Sequence, residues 1–272
     1  ASGARDLLAR LVLPLPAMHE LRAAGREAGL GFLATPFSPA DVADAAALAV
    51  DGVKIASPDA VNPPLIRAAA ALGLPLFIST GTCEVGELHP AAELLRGHPA
   101  GGALLQCVSS YPTPDDAAAL GGIAALRAAF GVAVGYSDHT TRIDTGGLAV
   151  AAGACILEKH LTYDTAAPGP DHAASLDPAA FVRYVVLARA AAGMLGPAAK
   201  RILPVEADVA RVSRQSLCAT RDLPPGHTLT PTDLTIKRPG TGIPARQLDA
   251  TLGRTLARPV RANDLVHPDD LV

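Results

Sequence analysis

Two histidines, His139 and His160, occupy matching positions in the segment 132–175. Each follows a short apolar run, residues 132–136 and residues 154–157, of the kind that forms a buried strand. The residues between the runs are small and apolar and predict a helix, which gives a βαβ unit. Because adjacent parallel strands lie about 4.8 Å apart, side chains at their ends can converge on one divalent metal ion. The alternative is that each histidine only bonds local backbone groups.

Two acidic residues accompany these histidines. Asp138 directly precedes His139, and Glu158 lies shortly before His160. Either carboxylate could orient a metal-binding imidazole by accepting a hydrogen bond from its other ring nitrogen. Either could instead form a salt bridge with Lys159 or Arg142, and the sequence leaves both interpretations open.

The ends of the other predicted strands carry hydroxyls, glycine amides and one lysine. Such groups supply hydrogen-bond donors without a counter-acid, so together they would make a plausible cradle for a phosphate. No single member is diagnostic, because a lone serine or threonine more often caps a helix. The residues are Thr35, Lys54, Ser57, Ser79, Thr80, Gly81, Ser109, Ser110, Tyr111 and Ser137.

Two further candidates lie in loops. Asp171, in the segment GPDH, could face the site or belong to a structural turn. Arg238 precedes a Pro-Gly turn and presents a guanidinium suited to a carbonyl or carboxylate, although a solvated surface position is the usual alternative.

These residues need a scaffold that brings strand ends together. Predicted strands end near residues 35, 55, 79, 108, 137 and 158 and alternate with helical segments, which indicates about six βα units and a parallel sheet with outer helices. We expect the sheet to close into a (β/α)8 TIM-type barrel, because polar residues follow nearly every strand. A doubly wound open sheet gives the same pattern. A closed barrel would lack about two strands at its amino end.

The chain also shows a change of character along its length. Residues 1–195 form the predicted barrel domain, residues 196–210 a proline-containing linker, and residues 211–272 a small β-rich module. The module contains a near-repeat, DLPPGHTLTPTDL and VRANDLVHPDDL, in which a turn precedes Pro-x-Asp-Leu.

Composition narrows the class of partner. A net charge of -3 gives no electrostatic footprint for nucleic acid. No window approaches the eighteen or so uninterrupted apolar residues of a membrane span, and the first residues lack the apolar core of a signal peptide. The four cysteines form no CxxC pair and are expected to be reduced. We therefore expect a cytoplasmic protein with neither a nucleic-acid nor a membrane partner.

Several motifs occur in an order that resembles the sialic acid synthase family over essentially the whole chain. They are the strand ends TPFS, VKIAS and STGT, the segments CVSSYPTP, GYSDHT, LEKHLTYD and GPDHAASL, and the tail segments RQSLCAT and KRPGTGI. The resemblance implies a (β/α)8 barrel followed by an antifreeze-like (SAF) domain. It further implies a domain-swapped homodimer in which the small domain reaches over the active site of the other subunit.

The resemblance also implies residue roles. His139 and His160 would hold a divalent ion, Mn²⁺ or Mg²⁺, whereas ligand preference alone favours zinc or iron for imidazole. Asp171 would contact the sugar hydroxyls, and Arg238 of the partner subunit its N-acyl group. Lys54 would act in catalysis together with the two histidines and Asp171. The residues implied to bind phosphoenolpyruvate are Thr35, Lys54, Ser57, Ser79, Ser109, Tyr111 and Ser137.

The implied reaction condenses phosphoenolpyruvate with an open-chain N-acylated amino sugar such as N-acetylmannosamine, which gives a nonulosonic acid and phosphate. Legionaminic or pseudaminic acid is an alternative product. A truncated, inactive homologue that serves as a binding or assembly subunit is a second alternative. An aldolase-type barrel with Lys54 as a Schiff base is a third.

The sequence departs from the family pattern at several points. An EIGxNHxG-like segment and a Lys-x-Gln segment, which carry an acidic residue and a lysine of the active site, are absent from the sequence. Asp59, a candidate substrate-binding residue, stands where a glutamate is usual, and Pro58 replaces a glycine. Gln106 occupies a common histidine position. These departures leave the activity of the chain open.

Overall fold

The computed structural model describes residue 9 and residues 11–272. The chain forms two compact units, one that ends at Gly196 and one that comprises Pro197–Val272. Each unit has its own cluster of buried apolar side chains. The segment predicted as a linker, residues 196–210, therefore belongs almost entirely to the second unit, where it includes the start of a helix.

The first unit is built on a parallel sheet of six strands whose spatial order follows the chain. Every predicted strand is present and ends within two residues of its expected position. Within the described residues each strand pairs only with its neighbours in sequence, and the sheet curls like part of a TIM-type barrel. The strands are β1 Leu33–Ala34, β2 Gly52–Ile55, β3 Leu76–Ser79, β4 Gly102–Cys107, β5 Val134–Asp138 and β6 Leu157–Lys159.

Helices alternate with these strands and begin at clear sequence signals. Ser38, Asn62 and Asp177 each accept a hydrogen bond from a backbone N–H of the following helix, and a proline occupies a first-turn position in each case. The helices are α1 Leu15–Glu27, α2 Pro39–Ala47, α3 Pro63–Ala70, α4 His89–Gly97, α5 Gly121–Phe130, α6 Thr145–Ala151 and α7 Pro178–Leu195.

The core of this unit involves strand residues that are apolar in nearly continuous runs. Val53, Ile55, Ile78 and Leu104 are fully buried and belong to one cluster with residues of the surrounding helices. Burying such side chains stabilises the fold by roughly 1.5–3 kcal/mol each. This packing fixes the strands and leaves their carboxyl ends free to carry polar side chains.

The strands of the two histidine units lie further along the chain than predicted. β5 covers residues 134–138 rather than 132–136, and β6 covers residues 157–159 rather than 154–157. Ala154 closes helix α6 instead, where its N–H donates to the Ala149 carbonyl at 2.9 Å. His139 and His160 consequently follow the last residue of their strands directly.

Helix α7 differs from the expectation that no segment approaches a membrane span. It is long and apolar enough to cross a membrane by length and composition, with a mean hydropathy of 1.3. One such helix is weak evidence for a span, and α7 carries Arg183 and Arg189. It packs against α6, and Val182, Val186 and Met194 are exposed on its surface.

The second unit is small and irregular, with helix α8 Ala207–Ser213, strands β7 Ser216–Ala219 and β8 Leu234–Lys237, and helix α9 Leu248–Thr251. β7 and β8 pair antiparallel, and isolated antiparallel bridges such as Leu223 with Val260 extend the pairing. Leu217, Leu223 and Val266 belong to its core. The β-rich character expected for this region is therefore present.

The near-repeat of the second unit is a repeated turn. In each copy a buried aspartate accepts a hydrogen bond from the backbone N–H three residues earlier, Asp233 from Thr230 at 2.9 Å and Asp270 from His267 at 2.6 Å. Burial would raise the pKa of Asp233, but hydrogen bonds from Thr230, His227 and Arg221 outweigh it and hold that pKa well below its usual range. The repeat thus serves local structure.

Candidate active site

A cavity of about 380 Å³ opens at the carboxyl ends of the parallel strands. All six strands of the sheet contribute to its wall, because parallel strands end at one edge of the sheet. Its size lies within the range of small-molecule sites. The structure brings together eight of the residues predicted from sequence: Thr35, Lys54, Ser57, Ser79, Tyr111, Ser137, His139 and His160.

Four residues with predicted substrate-binding roles do not line this cavity, and neither do Thr80, Gly81 and Ser110 of the predicted phosphate cradle. Asp59 accepts a hydrogen bond from the Asn62 side chain at 2.9 Å and so supports the turn before α3. Ser109 lies behind Gly81. The Asp171 carboxylate lies 3.9 Å from Nδ1 of His160, and its backbone carbonyl closes a turn, so both roles considered for Asp171 have support. Arg238 lies in the second unit.

His139 and His160 lie side by side in the cavity wall, with ring centroids 5.2 Å apart. Nδ1 of His139 is 3.0 Å from the Val108 carbonyl, to which it donates in the corresponding tautomer. That hydrogen bond leaves the Nε2 lone pair of His139 available to a metal ion. The Tyr111 ring lies 4.1 Å from the His139 ring, between centroids, and forms the adjoining wall.

The two imidazoles have pKa values shifted in opposite directions. Burial would lower the pKa of His139, but hydrogen bonds with Cys107 and the Val108 carbonyl raise it above its usual value. Burial and the neighbouring His139 lower the pKa of His160, although Asp171 and Glu158 oppose this.

The two carboxylates considered beside the histidines have separate partners. Asp138 pairs with Lys159, at 3.2 Å, which is one of the two interpretations left open by the sequence. Glu158 pairs with neither Lys159 nor Arg142 but with Lys54, at 3.3 Å between Nζ and Oε2. Glu158 therefore contacts Lys54 rather than either of the two partners considered for it.

A cluster of donors surrounds the Glu158 carboxylate. Ser137 Oγ donates to Glu158 Oε2 at 2.6 Å, and Ser79 Oγ lies 3.4 Å from the same oxygen. Lys54 Nζ also donates to the Ile55 carbonyl at 3.2 Å. One ammonium and two hydroxyls thus converge on a single carboxylate oxygen, which shows that they can share one anionic group.

Further hydrogen bonds connect Ser57, a neighbouring residue of the cavity wall, to Gly81 and Cys107. Ser57 Oγ accepts a hydrogen bond from the Gly81 N–H at 3.0 Å and lies 3.5 Å from the Cys107 thiol. A Cβ at Gly81 would lie 2.9 Å from Ser57 Oγ and closer still to Ser109 Oγ, so only glycine fits there. Burial would raise the pKa of Cys107, but hydrogen bonds with His139 and Ser57 leave it below its usual value.

Sequence reasoning missed the cavity positions of Phe37, Cys107 and Glu158. A signal for two of them was available in the strand register. Cys107 pairs with Ser137, and Ser137 pairs with Glu158, so the three residues form one row across β4, β5 and β6. Aligning the strand ends by register would have placed Cys107 and Glu158 next to a predicted site serine.

The histidine pair fits a divalent metal ion in part. Two imidazoles, one of them oriented by a backbone carbonyl, are suitable ligands. Among the described residues no group of three or more histidine, cysteine, aspartate or glutamate side chains has the geometry of a metal site. Any ion held by His139 and His160 would therefore keep several positions for water or substrate, as catalytic ions do.

Comparison with known proteins follows the division into two units. The NeuB family profile matches residues 2–200, and the SAF domain profile matches residues 214–272. An N,N'-diacetyllegionaminic acid synthase of Legionella pneumophila is 35% identical over 84% of this chain and 66% of its own length. A pseudaminic acid synthase of Helicobacter pylori is 31% identical over 98% of this chain and 78% of its own length.

Solved structures show the same architecture. Spore coat polysaccharide biosynthesis protein E of Chromobacterium violaceum superposes with a TM-score of 0.82 at 28% identity, over 96% of this chain and 79% of that chain. The N-acetylneuraminic acid synthetase of Leptospira borgpetersenii superposes with a TM-score of 0.73 at 31% identity, over 76% of this chain and 73% of that chain. The chain belongs to the NeuB family and carries a SAF domain at its carboxyl end.

Proposed function

We propose that the protein condenses phosphoenolpyruvate with an N-acylated amino sugar to give a nonulosonic acid and phosphate. The single observation that carries this proposal is the layout of the cavity. The same cavity wall holds a pair of imidazoles, His139 and His160, and the hydrogen-bond donors Lys54, Ser79 and Ser137. Relatives named as nonulosonic acid synthases support the same reaction.

The donor cluster would bind the phosphate and carboxylate of phosphoenolpyruvate. Lys54 supplies a fixed positive charge, and Ser79 and Ser137 supply hydroxyl donors that already meet at one oxygen position. Preorganised donors of this kind stabilise charge that develops during a reaction without reorganising at that moment. Their role is therefore to hold the three-carbon substrate with its enol carbon towards the histidines.

The histidine pair would bind a Mn²⁺ or Mg²⁺ ion. When bound, such an ion supplies a Lewis acid that polarises the aldehyde of the open-chain sugar. His139 and His160 hold the ligand nitrogens, and Tyr111 covers one side of the pair. Asp171, 3.9 Å from His160, would contact a sugar hydroxyl.

Glu158 carries a negative charge into the donor cluster. Its side chain is 40% exposed, whereas that of Lys54 is 12% exposed, so Glu158 has room to turn away and Lys54 does not. We infer that the substrate anion takes over the donors that Glu158 now accepts from. The Lys54 ion pair also favours an anion-binding lysine over a Schiff-base nucleophile.

Which amino sugar is used would be decided by a panel of substrates. N-acetylmannosamine and the amino sugars that precede legionaminic and pseudaminic acids would each be supplied with phosphoenolpyruvate and Mn²⁺ to the full-length gene product. The proposal expects one of them to give phosphate at a clearly higher kcat/KM. A protein that consumes none of them would fit the alternative function, a binding or assembly subunit.

We propose that an eight-stranded barrel completes the catalytic unit. The described sheet has six strands, and within it β1 and β6 each have one unpaired edge. A TIM-type barrel closes with eight strands, so two further βα units would satisfy both edges. The exposed apolar residue Leu33 of the edge strand β1 would then be covered. The spans assigned to the two functional parts are residues 1–195 for the synthase and 211–272 for the SAF domain.

We also propose a domain-swapped homodimer, placed in the cytoplasm, in which Arg238 of the partner subunit binds the N-acyl group. Arg238 is exposed and directly follows strand β8. Loss of one charge-assisted hydrogen bond would raise the sugar KM of an Arg238→Ala variant by roughly 10-fold or more, with little change for phosphoenolpyruvate. Arg246→Ala, which alters an exposed arginine of the same unit, is the control. An unchanged sugar KM in steady-state kinetics would contradict this role.

A further inference from the structure

One ion pair of the first unit is fully excluded from solvent and lies directly beside the histidine pair. Lys159 Nζ lies 3.2 Å from Asp138 Oδ1, and the two side chains are 1% and 0% exposed. Every other salt bridge between described residues has at least one partner whose side chain is 24% exposed or more. Asp138 is the last residue of β5 and Lys159 the last of β6, so each directly precedes a histidine.

The pair holds the turn that carries His139. Asp138 Oδ1 accepts hydrogen bonds from the backbone N–H of Thr140 at 2.9 Å and from its hydroxyl at 2.8 Å. Lys159 Nζ donates to the backbone carbonyl of Thr140. The residue before His139 and the residue after it are therefore both tied to one ammonium group of β6. His160 is the next residue after that ammonium-bearing lysine.

Neighbouring side chains keep this ammonium in place. Thr140 Oγ1 lies 3.0 Å from Thr145 Oγ1 at the start of α6, and the Tyr184 ring centroid lies 5.5 Å from Lys159 Nζ. A Cβ at Gly146 would lie 2.8 Å from the Tyr184 hydroxyl, so a glycine is needed for the ring to approach. The lysine is thus enclosed between β5, α6 and α7.

Stability alone does not account for such a pair. The backbone register already places Asp138 opposite Lys159. Burying two charges costs much of the free energy that their attraction returns, and apolar replacements are often as stable. Asp138 Oδ2 and the Tyr184 hydroxyl are also buried without a hydrogen-bond partner among the described residues. Such a costly arrangement is easier to explain if the orientation that it gives to His139 and His160 serves the function of the site.

We propose that Asp138 and Lys159 are positioning residues that hold the rings of His139 and His160 at the spacing needed to share one divalent ion. This inference rests on the metal site of the proposed function. Neither side chain needs to touch the ion or the substrate. The two act through the turn 138–140 and through the end of β6.

The test uses three variants of the full chain, Asp138→Asn, Lys159→Met and the double variant, with Mn²⁺ titrated into each. A single variant leaves one buried charge unpaired and lowers the melting temperature, whereas the double variant removes both charges and regains much of that loss. We expect Mn²⁺ affinity to fall by roughly 10–100-fold in all three, as for lost orienting contacts behind metal ligands. Arg221→Met, which removes a partner of the buried Asp233 in the second unit, is the control and should keep wild-type affinity.

A readout without metal keeps this inference separate from the proposed function. Ring ¹H–¹⁵N spectra of the metal-free protein should show shifted signals for His139 and His160 in the double variant and an unshifted signal for His98, which contacts the Leu74 carbonyl elsewhere. Unshifted His139 and His160 signals together with wild-type Mn²⁺ affinity in the double variant would overturn the positioning role. A wild-type chain that binds no Mn²⁺ would refute the metal site itself, and the positioning for a shared ion would fall with it.

Discussion

Alanine at His139 or at His160 is expected to abolish metal-dependent condensation. Each substitution removes one of the two imidazoles that lie side by side in the cavity. A bound ion contributes several kcal/mol of transition-state stabilisation, so kcat/KM should fall by roughly 10³-fold or more. The measurement is phosphate release from phosphoenolpyruvate at saturating Mn²⁺, together with Mn²⁺ affinity.

A matched control is His19→Ala, which removes an exposed histidine of helix α1. This variant should keep wild-type turnover and wild-type Mn²⁺ affinity. Full activity in either the His139 or the His160 variant would remove the metal assignment.

Replacing Lys54 by methionine should weaken phosphoenolpyruvate selectively. Methionine keeps much of the length and apolar volume of a side chain that is 12% exposed, but removes the ammonium, which lies 3.3 Å from Glu158. Truncating one partner of a buried, hydrogen-bonded charge pair costs about 2–5 kcal/mol, so KM for phosphoenolpyruvate should rise by roughly 10²-fold or more. The sugar KM should change little, because the sugar binds towards the histidines.

Steady-state kinetics with each substrate varied in turn will measure this split. Lys200→Met, at an exposed position, is the control. Equal increases in both KM values would argue against a local anion site at Lys54. Borohydride with pyruvate should leave no adduct on the wild-type chain, and an adduct on Lys54 would favour the Schiff-base alternative.

The sequence predicted the sheet well because strand ends are marked by local chemistry. In β2 and β3 the apolar run stops where the polar residues begin, so Ile55 and Ser79 were correctly placed as last residues. In the unit of His160 the same rule was less accurate. The Ala154 N–H closes helix α6, the Cys155 N–H already donates to the Val134 carbonyl of β5, and strand β6 begins only at Leu157.

The site was predictable as a set of residues but not as a set of contacts. Ser79, Ser137 and Lys54 were expected near one another because all follow parallel strands. Their shared contact with Glu158 depends on the strand register and on the rotamer of the Glu158 side chain. The sequence also could not decide between Lys159 and Arg142 as the partner of Asp138. In the structure Arg142 pairs with Asp115 and Asp144, and Lys159 pairs with Asp138.

The most direct test of the proposed function is phosphate release by the full-length gene product, supplied with phosphoenolpyruvate, N-acetylmannosamine or a related N-acylated amino sugar, and Mn²⁺. We predict release that requires both substrates, stops when the metal is chelated, and matches the nonulosonic acid formed mole for mole. No metal-dependent release with any of these sugars would contradict the synthase function and leave the binding or assembly role in its place.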